Sequence, residues 1–178
     1  PNDARLARLH GQLLVARGKD AEAIAVWSEA LQREDDPATR RVRAQTLSRM
    51  GRHDEAIAEL VALTQRPTAD HQTWLALGDA HRQSGDIDAA VEVYEGLIDG
   101  PAGQLATRSA ASALISAERY DEAIERLDRG NARWPRNPNI TNDLAWLLST
   151  APIEGLRDGP RALSSVSYTH LTLPTNGC

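Results

Sequence analysis

Nothing but helices, arranged as a repeating series of antiparallel pairs, is the architecture this sequence predicts, and three observations predict it. Ala23, Ala56, Ala90 and Ala123 recur at steps of 33, 34 and 33 residues, each followed four residues later by a bulky side chain: Trp27, Leu60, Tyr94 and Leu127. Apolar residues fall at helical spacing in eight successive segments. A glycine (Gly18, Gly51 or Gly85) stands between the segments of three of the four pairs. A period of this length marks stacked helical hairpins, each burying its apolar side only against its neighbours. The fold class is therefore all-α, an α-solenoid of antiparallel helix pairs.

The first helix of each pair is predicted over residues 4–17, 38–50, 71–83 and 104–117, and the second over 20–33, 53–65, 86–98 and 120–132. The three glycines suit a left-handed turn between helices, which costs glycine least. In the fourth pair Glu118 takes that place, so its turn is expected to be strained or differently shaped. Small residues at Gly11, Ala44, Gly78 and Ala111 face the repeated alanines, which lets paired helices approach closely. Asp20, Asp54, Glu55, Asp86, Asp121 and Glu122 start the second helices, where carboxylates favour the positive end of the helix dipole. Pro67 and Pro101 come one residue earlier in their units than Pro135 does, so the second helices of units two and three should end early, with Ala62 and Gly96 as their small residues. The units run at about 4–37, 38–70, 71–103 and 104–137, with a partial fifth from 138, giving an array over 4–150.

The third unit reads Trp74-x2-Leu77-Gly78-x2-His81, then Gly85, Ala90, Tyr94 and Pro101. This resembles the tetratricopeptide repeat, whose pattern is Trp-x2-Leu-Gly-x2-Tyr, then Ala-x3-Phe, then Pro. Unit one keeps Gly11, Leu14, Gly18, Ala23, Trp27 and Ala30; unit two keeps Ala44, Leu47, Gly51, Ala56, Leu60 and Pro67; unit four keeps Ala111, Leu114, Tyr120, Ala123, Leu127 and Pro135. Unit one departs from the pattern at Ala7 and His10. The resemblance implies a right-handed solenoid whose first helices line a concave groove and whose second helices form the outer wall. Carried over residue by residue, it places Arg5, Arg8, Gln12, Arg41, Gln45, Arg49, Gln72, Asp79, Arg82, Arg108 and Ser112 on that groove. Arg8, Gln12 and Arg41 resemble part of the clamp with which some members hold a peptide carboxylate, although the expected asparagines are absent.

The net charge of −5 conceals a segregation. The first helices of units one and two carry Arg5, Arg8, Arg17, Arg40, Arg41, Arg43 and Arg49 and no acid, whereas the second helices carry Glu22, Glu29, Glu59, Asp88, Glu92, Glu95, Glu125 and Asp128. With the resemblance, this implies a basic groove inside an acidic shell. The function expected is a non-catalytic scaffold for protein–protein interaction, binding a peptide or partner domain and in particular an acidic segment. The planar fork of arginine suits carboxylates, and a concave surface focuses its field. The bland alternative is that these arginines are solvated or pair with acids of neighbouring repeats. Two other functions compete: a recruiting or regulatory arm of a larger enzyme or assembly protein, and an RNA-binding helical repeat. The acidic balance opposes the last, because phosphate binding needs excess positive charge.

Chemistry is not expected: no catalytic residue, cofactor, metal or small-molecule substrate. His10, His53, His71 and His81 lack the spacing of a zinc motif. Gly11…Gly18-Lys19 has six intervening residues, Asp20 where Ser or Thr belongs and no preceding strand, so it is not a phosphate loop. Asn139-Ile140-Thr141, at a helix start, reads as a cap rather than a glycosylation site. Trp27, Trp74 and Trp134 read as packing residues, while Trp146 falls at a groove position.

The chain opens at Pro1 rather than Met and so reads as a fragment; it holds no signal peptide or transmembrane run. All but one (Lys19) of its 20 basic residues are arginine, which points to a GC-rich, bacterial source. Near the other end, Arg157-Asp158-Gly159-x-Arg161-Ala162 is expected to begin a further helix over 151–165, cut short. Without that helix, Leu144, Leu147 and Leu148 should be poorly covered. From Val166 to Thr175 the sequence resembles a one-frame translation of a transposon-end sequencing adapter, so residues 166–178 read as a non-native tail. The single cysteine, Cys178, lies within it.

Overall fold

The computed structural model describes residues 3–163, so the adapter-like segment 166–178 lies outside the described residues. Among these the elements are helical: α1 (Asp3–Ala16), α2 (Asp20–Arg33), α3 (Pro37–Arg49), α4 (His53–Thr64), α5 (His71–Ser84), α6 (Ile87–Glu95), α7 (Gly103–Ser116), α8 (Tyr120–Arg133) and α9 (Pro138–Thr150), then a short 3-10 turn, Glu154–Leu156. Seven of the eight predicted spans agree to within a residue at each end. The exception is α6, which stops before Gly96 instead of reaching residue 98. Beyond it the chain advances by tight turns, Leu97 N–H bonding Tyr94 O at 3.0 Å and Gly100 N–H bonding Leu97 O at 3.0 Å. Glycine weakens a helix interior by about 1 kcal/mol and Pro101 cannot continue one, so the early stop has a local cause.

The four turns inside the pairs share one geometry. Gly18, Gly51 and Gly85 adopt φ of 75°, 81° and 89°, and Glu118 adopts φ of 60°. Each is followed by a residue whose N–H reaches back five positions: Lys19 to Leu14 O, Arg52 to Leu47 O, Asp86 to His81 O and Arg119 to Leu114 O, all at 2.9–3.0 Å. This is the Schellman closure, and it explains why the second helices begin without a side-chain cap at Lys19, Arg52 and Arg119. Glu118 thus keeps the shape of the glycine turn and bears the strain of a left-handed backbone.

The chain divides between Val93 and Tyr94, within α6, into two compact units. In the first, α1 pairs with α2 and α3 with α4, and the pairs join by α2 on α3 and α4 on α5. The first helices also touch one another in succession, α1 on α3 and α3 on α5. They therefore form a continuous layer. The core behind it collects Ala44, Leu47, Ala56, Leu60, Leu63, Ala76, Leu77 and Ala80. Leu60 is fully buried, worth about 1.5–3 kcal/mol by apolar transfer. Toward the N-terminus Leu14, Ala23 and Trp27 form a second cluster. There Gly11 fits against the Trp27 indole, which a Cβ would overlap, and Trp27 Nε1 donates to Arg8 O at 3.3 Å.

In the second unit α7 packs on α8, and α9 covers both. Here one expectation fails. Leu144, Leu147 and Leu148 are each only 1% exposed. Residues 151–163 fold back over α9: Ala151 and Ala162 are buried, Asp158 N–H bonds Leu148 O at 3.0 Å, and Arg157 Nε donates to Ala151 O at 2.7 Å. The short segment supplies the cover that a full helix was expected to provide. Exposed apolar surface appears instead at Trp146, Ile153 and Leu163.

Candidate partner-binding face

The first-helix layer of the first unit carries nine of the eleven residues singled out by sequence. Arg5, Gln12, Gln45, Arg49 and Gln72 are exposed, while Arg8, Arg41, Asp79 and Arg82 are partly buried. Arg108 (partly buried) and Ser112 (exposed) lie on α7 of the second unit. Arg41 and Gln72 meet, Nη2 donating to Oε1 at 2.7 Å, and Arg82 Nε lies 3.8 Å from Asp79 Oδ1.

The arginines are not bare charges. Arg8 Nη1 donates to Asp36 at 2.7 Å, Arg41 Nη1 to both oxygens of Asp70 at 2.8 Å, and Arg108 Nε to Asp143 at 2.5 Å. Arg49 grips Asp20 through Nη2 at 2.7 Å and Nε at 3.3 Å. Beside them Arg43 holds Glu59 through two bonds, at 2.6 and 3.2 Å. Much of the positive charge of the first helices is thus compensated, Arg8, Arg41, Arg43, Arg49 and Arg108 each being fixed by an acid of its own or a neighbouring repeat.

Two of these acids have a second duty that sequence reasoning missed. Asp36 caps α3, accepting from the Thr39 N–H at 3.0 Å and the Thr39 hydroxyl at 2.5 Å. Asp70 caps α5 in the same manner, accepting from Thr73 N–H and hydroxyl, each at 2.8 Å. One carboxylate therefore ties the start of each of these first helices to the arginine of the repeat before it. The signal was present as Asp-x-x-Thr at the head of each apolar run. In the second unit the link becomes neutral: Asn137 caps α9 through Asn139 and Ile140 N–H, and its Nδ2 donates to Gln104 Oε1 at 2.6 Å. The cap is therefore Asn137, not Asn139, which stands exposed in the first turn.

These environments shift the carboxyls. Burial alone would raise Asp36, but the Thr39 hydroxyl and N–H and the Arg8 guanidinium outweigh it and hold the group below its ordinary value. Asp70 is likewise lowered, burial being overcome by Thr73 and Arg41. On the adjoining loop, hydrogen bonds from Arg40 and Arg66 lower Asp35. Of the tryptophans, Trp27 is core, whereas Trp146 is 57% exposed on α9. Among the described residues no three His, Cys, Asp or Glu side chains gather as metal ligands, and no helix is long and apolar enough to cross a membrane.

Residues 41–104 match the tetratricopeptide repeat family. No curated protein matches the chain. Among solved structures, MamA residues 41 to end from Desulfovibrio magneticus RS-1 is 18% identical, with TM-score 0.66, over 96% of this chain and 95% of that one. TTC0263, a thermophilic TPR protein in Thermus thermophilus, is 19% identical, with TM-score 0.62, over 97% and 93%. The nearly identical TPR-like repeats of a Podosopora anserina putative kinesin light chain give 18% and 0.69, over 97% of each chain. With the hairpins and turns described above, these likenesses establish the fold as all-α, a tetratricopeptide-like solenoid of antiparallel helix pairs.

Proposed function

We propose that this chain is a non-catalytic protein-interaction scaffold and that an acidic segment of a partner lies along the first-helix faces of the repeats in its first unit. The repeats of the array run over residues 4–37, 38–70, 71–103 and 104–137 in this reading. The observation that carries the reading is the anchoring of Arg8 and Arg41 by the helix-capping carboxylates Asp36 and Asp70. An anchored guanidinium has already lost most of its rotamer freedom, so a bound carboxylate need not order it again. Arg8 reaches Asp36 through Nη1, and a guanidinium carries five N–H donors, so donors remain for a second acceptor. Exposed Gln12, Gln45 and Gln72 supply amides beside them for the peptide backbone. Because the intramolecular pairs offset most of the charge, recognition depends on directed hydrogen bonds more than on the long-range field.

The test is fluorescence anisotropy with a labelled oligoglutamate peptide, set against an oligolysine control. Reversing Arg8 and Arg41 to Glu should weaken oligoglutamate binding at least about tenfold, since charge-assisted hydrogen bonds contribute about 1.5–3 kcal/mol each, while circular dichroism keeps its helical signal. Equal affinity of the reversed and native proteins, or equal binding of the two peptides, would refute the acidic-segment reading.

A further inference from the structure

The first hairpin leaves one face of α1 uncovered. Leu6, Leu9 and Leu13 stand at i, i+3 and i+7 and are 60%, 52% and 49% exposed. The steps of 33 and 34 residues that relate the repeats carry this stripe onto Thr39, Val42 and Thr46 of α3, then onto Thr73, Ala76 and Ala80 of α5. There it is covered. Val42 is partly buried and the other five are buried, α3 lying on α2 and α1 and α5 on α4 and α3. The face that the later hairpins of the first unit close with the helices before them is, on α1, large, apolar and open.

A single exposed leucine needs no explanation, but three in one stripe do. An end repeat that faces water carries a polar outer side, which this one lacks. Beside the stripe lies an open groove of about 550 Å³, lined by Ala7 and His10 of α1 and by Val26, Glu29 and Ala30 of α2, with Leu6 common to groove and stripe. In both later cases a second helix of a pair supplies cover, α2 on α3 and α4 on α5. The missing partner of α1 is therefore a helix of that kind.

We infer that this face binds a second copy of the chain about a two-fold axis, α1 of each copy lying against α2 of the other. The hairpin exposes its own α2 across the groove, so the second copy supplies a second helix and receives the same in return, as an isologous pair requires. Charge favours this occupant. Residues 4–17 carry Arg5, Arg8 and Arg17 and no acid, whereas α2 and the residue after it carry Asp20, Glu22, Glu29 and Glu34 against Arg33. Arg8 and Asp20 are engaged by Asp36 and Arg49. That leaves exposed Arg5 and Arg17 on one helix to meet Glu22, Glu29 and Glu34 on the other. The pairs Lys19–Glu22 and Arg33–Glu29 are exposed at both partners, contribute little and can be exchanged. Arg5, Arg8 and Gln12 form a different stripe of α1, so the pair does not depend on their role toward a peptide.

The test is sedimentation equilibrium of the full chain from micromolar to hundreds of micromolar concentration. The mass should rise from one chain to two and stop there. Leu9→Ser with Leu13→Ser should weaken the pair at least about a hundredfold, because each lost leucine counts twice across a two-fold axis. Glu29→Arg with Glu34→Arg removes no leucine but sets like charges against each other, and should weaken it at least about tenfold. All four positions are exposed, and circular dichroism verifies that each variant folds. Trp146→Ser, which removes an exposed indole of the second unit, should leave the mass unchanged. A chain that stays single at every concentration overturns the inference and assigns the face to a helix other than its own. It is equally overturned by growth beyond two chains, by a pair that survives either double variant, or by one that Trp146→Ser dissociates.

Discussion

Glu118 holds a left-handed backbone that an L-residue adopts at a cost of about 1–2 kcal/mol, and its exposed side chain has little packing to lose. Glu118→Gly should therefore stabilise the chain by about 0.5–1 kcal/mol, after the added unfolded-state entropy of glycine is subtracted. Gly85→Ala should do the opposite by a similar amount, both read from urea midpoints. Gly11→Ala tests a different cause, since its methyl collides with the Trp27 indole. Overpacking of this kind costs about 1–3 kcal/mol, and it should also alter the Trp27 environment by NMR. These positions were legible in the sequence because the repeat supplies its own control: three glycines make the fourth residue conspicuous. The Asp36 and Asp70 caps were equally legible in principle. They were missed because the acids crowding the second helices are the more conspicuous signal, although three of those helices start without side-chain caps.

At the scale of the element, periodicity located seven helices well because their apolar stripes are long and their ends are marked by glycine or proline. It overran α6, where Gly96 lies inside the apolar stripe; the early end expected from the place of Pro101 has the right direction, but the helix stops before Gly96 rather than including it. It also misjudged the cover of α9. A helix cut short over 151–165 is expected to leave α9 bare, yet Ala151, Ala162 and the bonds from Arg157 and Asp158 close the end of the second unit. Amide exchange at Leu148 should accordingly be as slow as at Leu77 in the first unit. Asp158 also caps the last short helical turn, its carboxylate accepting from Arg161 N–H at 3.0 Å. Asp158→Ala should cost about 1 kcal/mol and speed exchange at Leu148, while Leu77 stays protected.

For the molecule as a whole, the arginine–carboxylate links decide how stability responds to acid. Ion pairs between exposed partners contribute little each, but Asp36 and Asp70 combine an ion pair with a helix cap, and each joins one repeat to the next. Asp35, Asp36 and Asp70 are all lowered in the folded chain. A depressed carboxyl binds its proton less readily when folded than when unfolded, so its contribution is complete above the unfolded value, about 4. It is lost as pH falls through the lower folded value. The urea midpoint should thus hold level near neutrality and drop steeply below about pH 4. Asp36→Asn with Asp70→Asn keeps oxygen acceptors for the Thr39 and Thr73 N–H groups but removes the titrating charge. That variant should start less stable near neutrality and fall with a visibly shallower acid slope. Parallel acid limbs in the two proteins would mean that the caps titrate as ordinary aspartates and that the arginines of the first helices do not hold the repeats together.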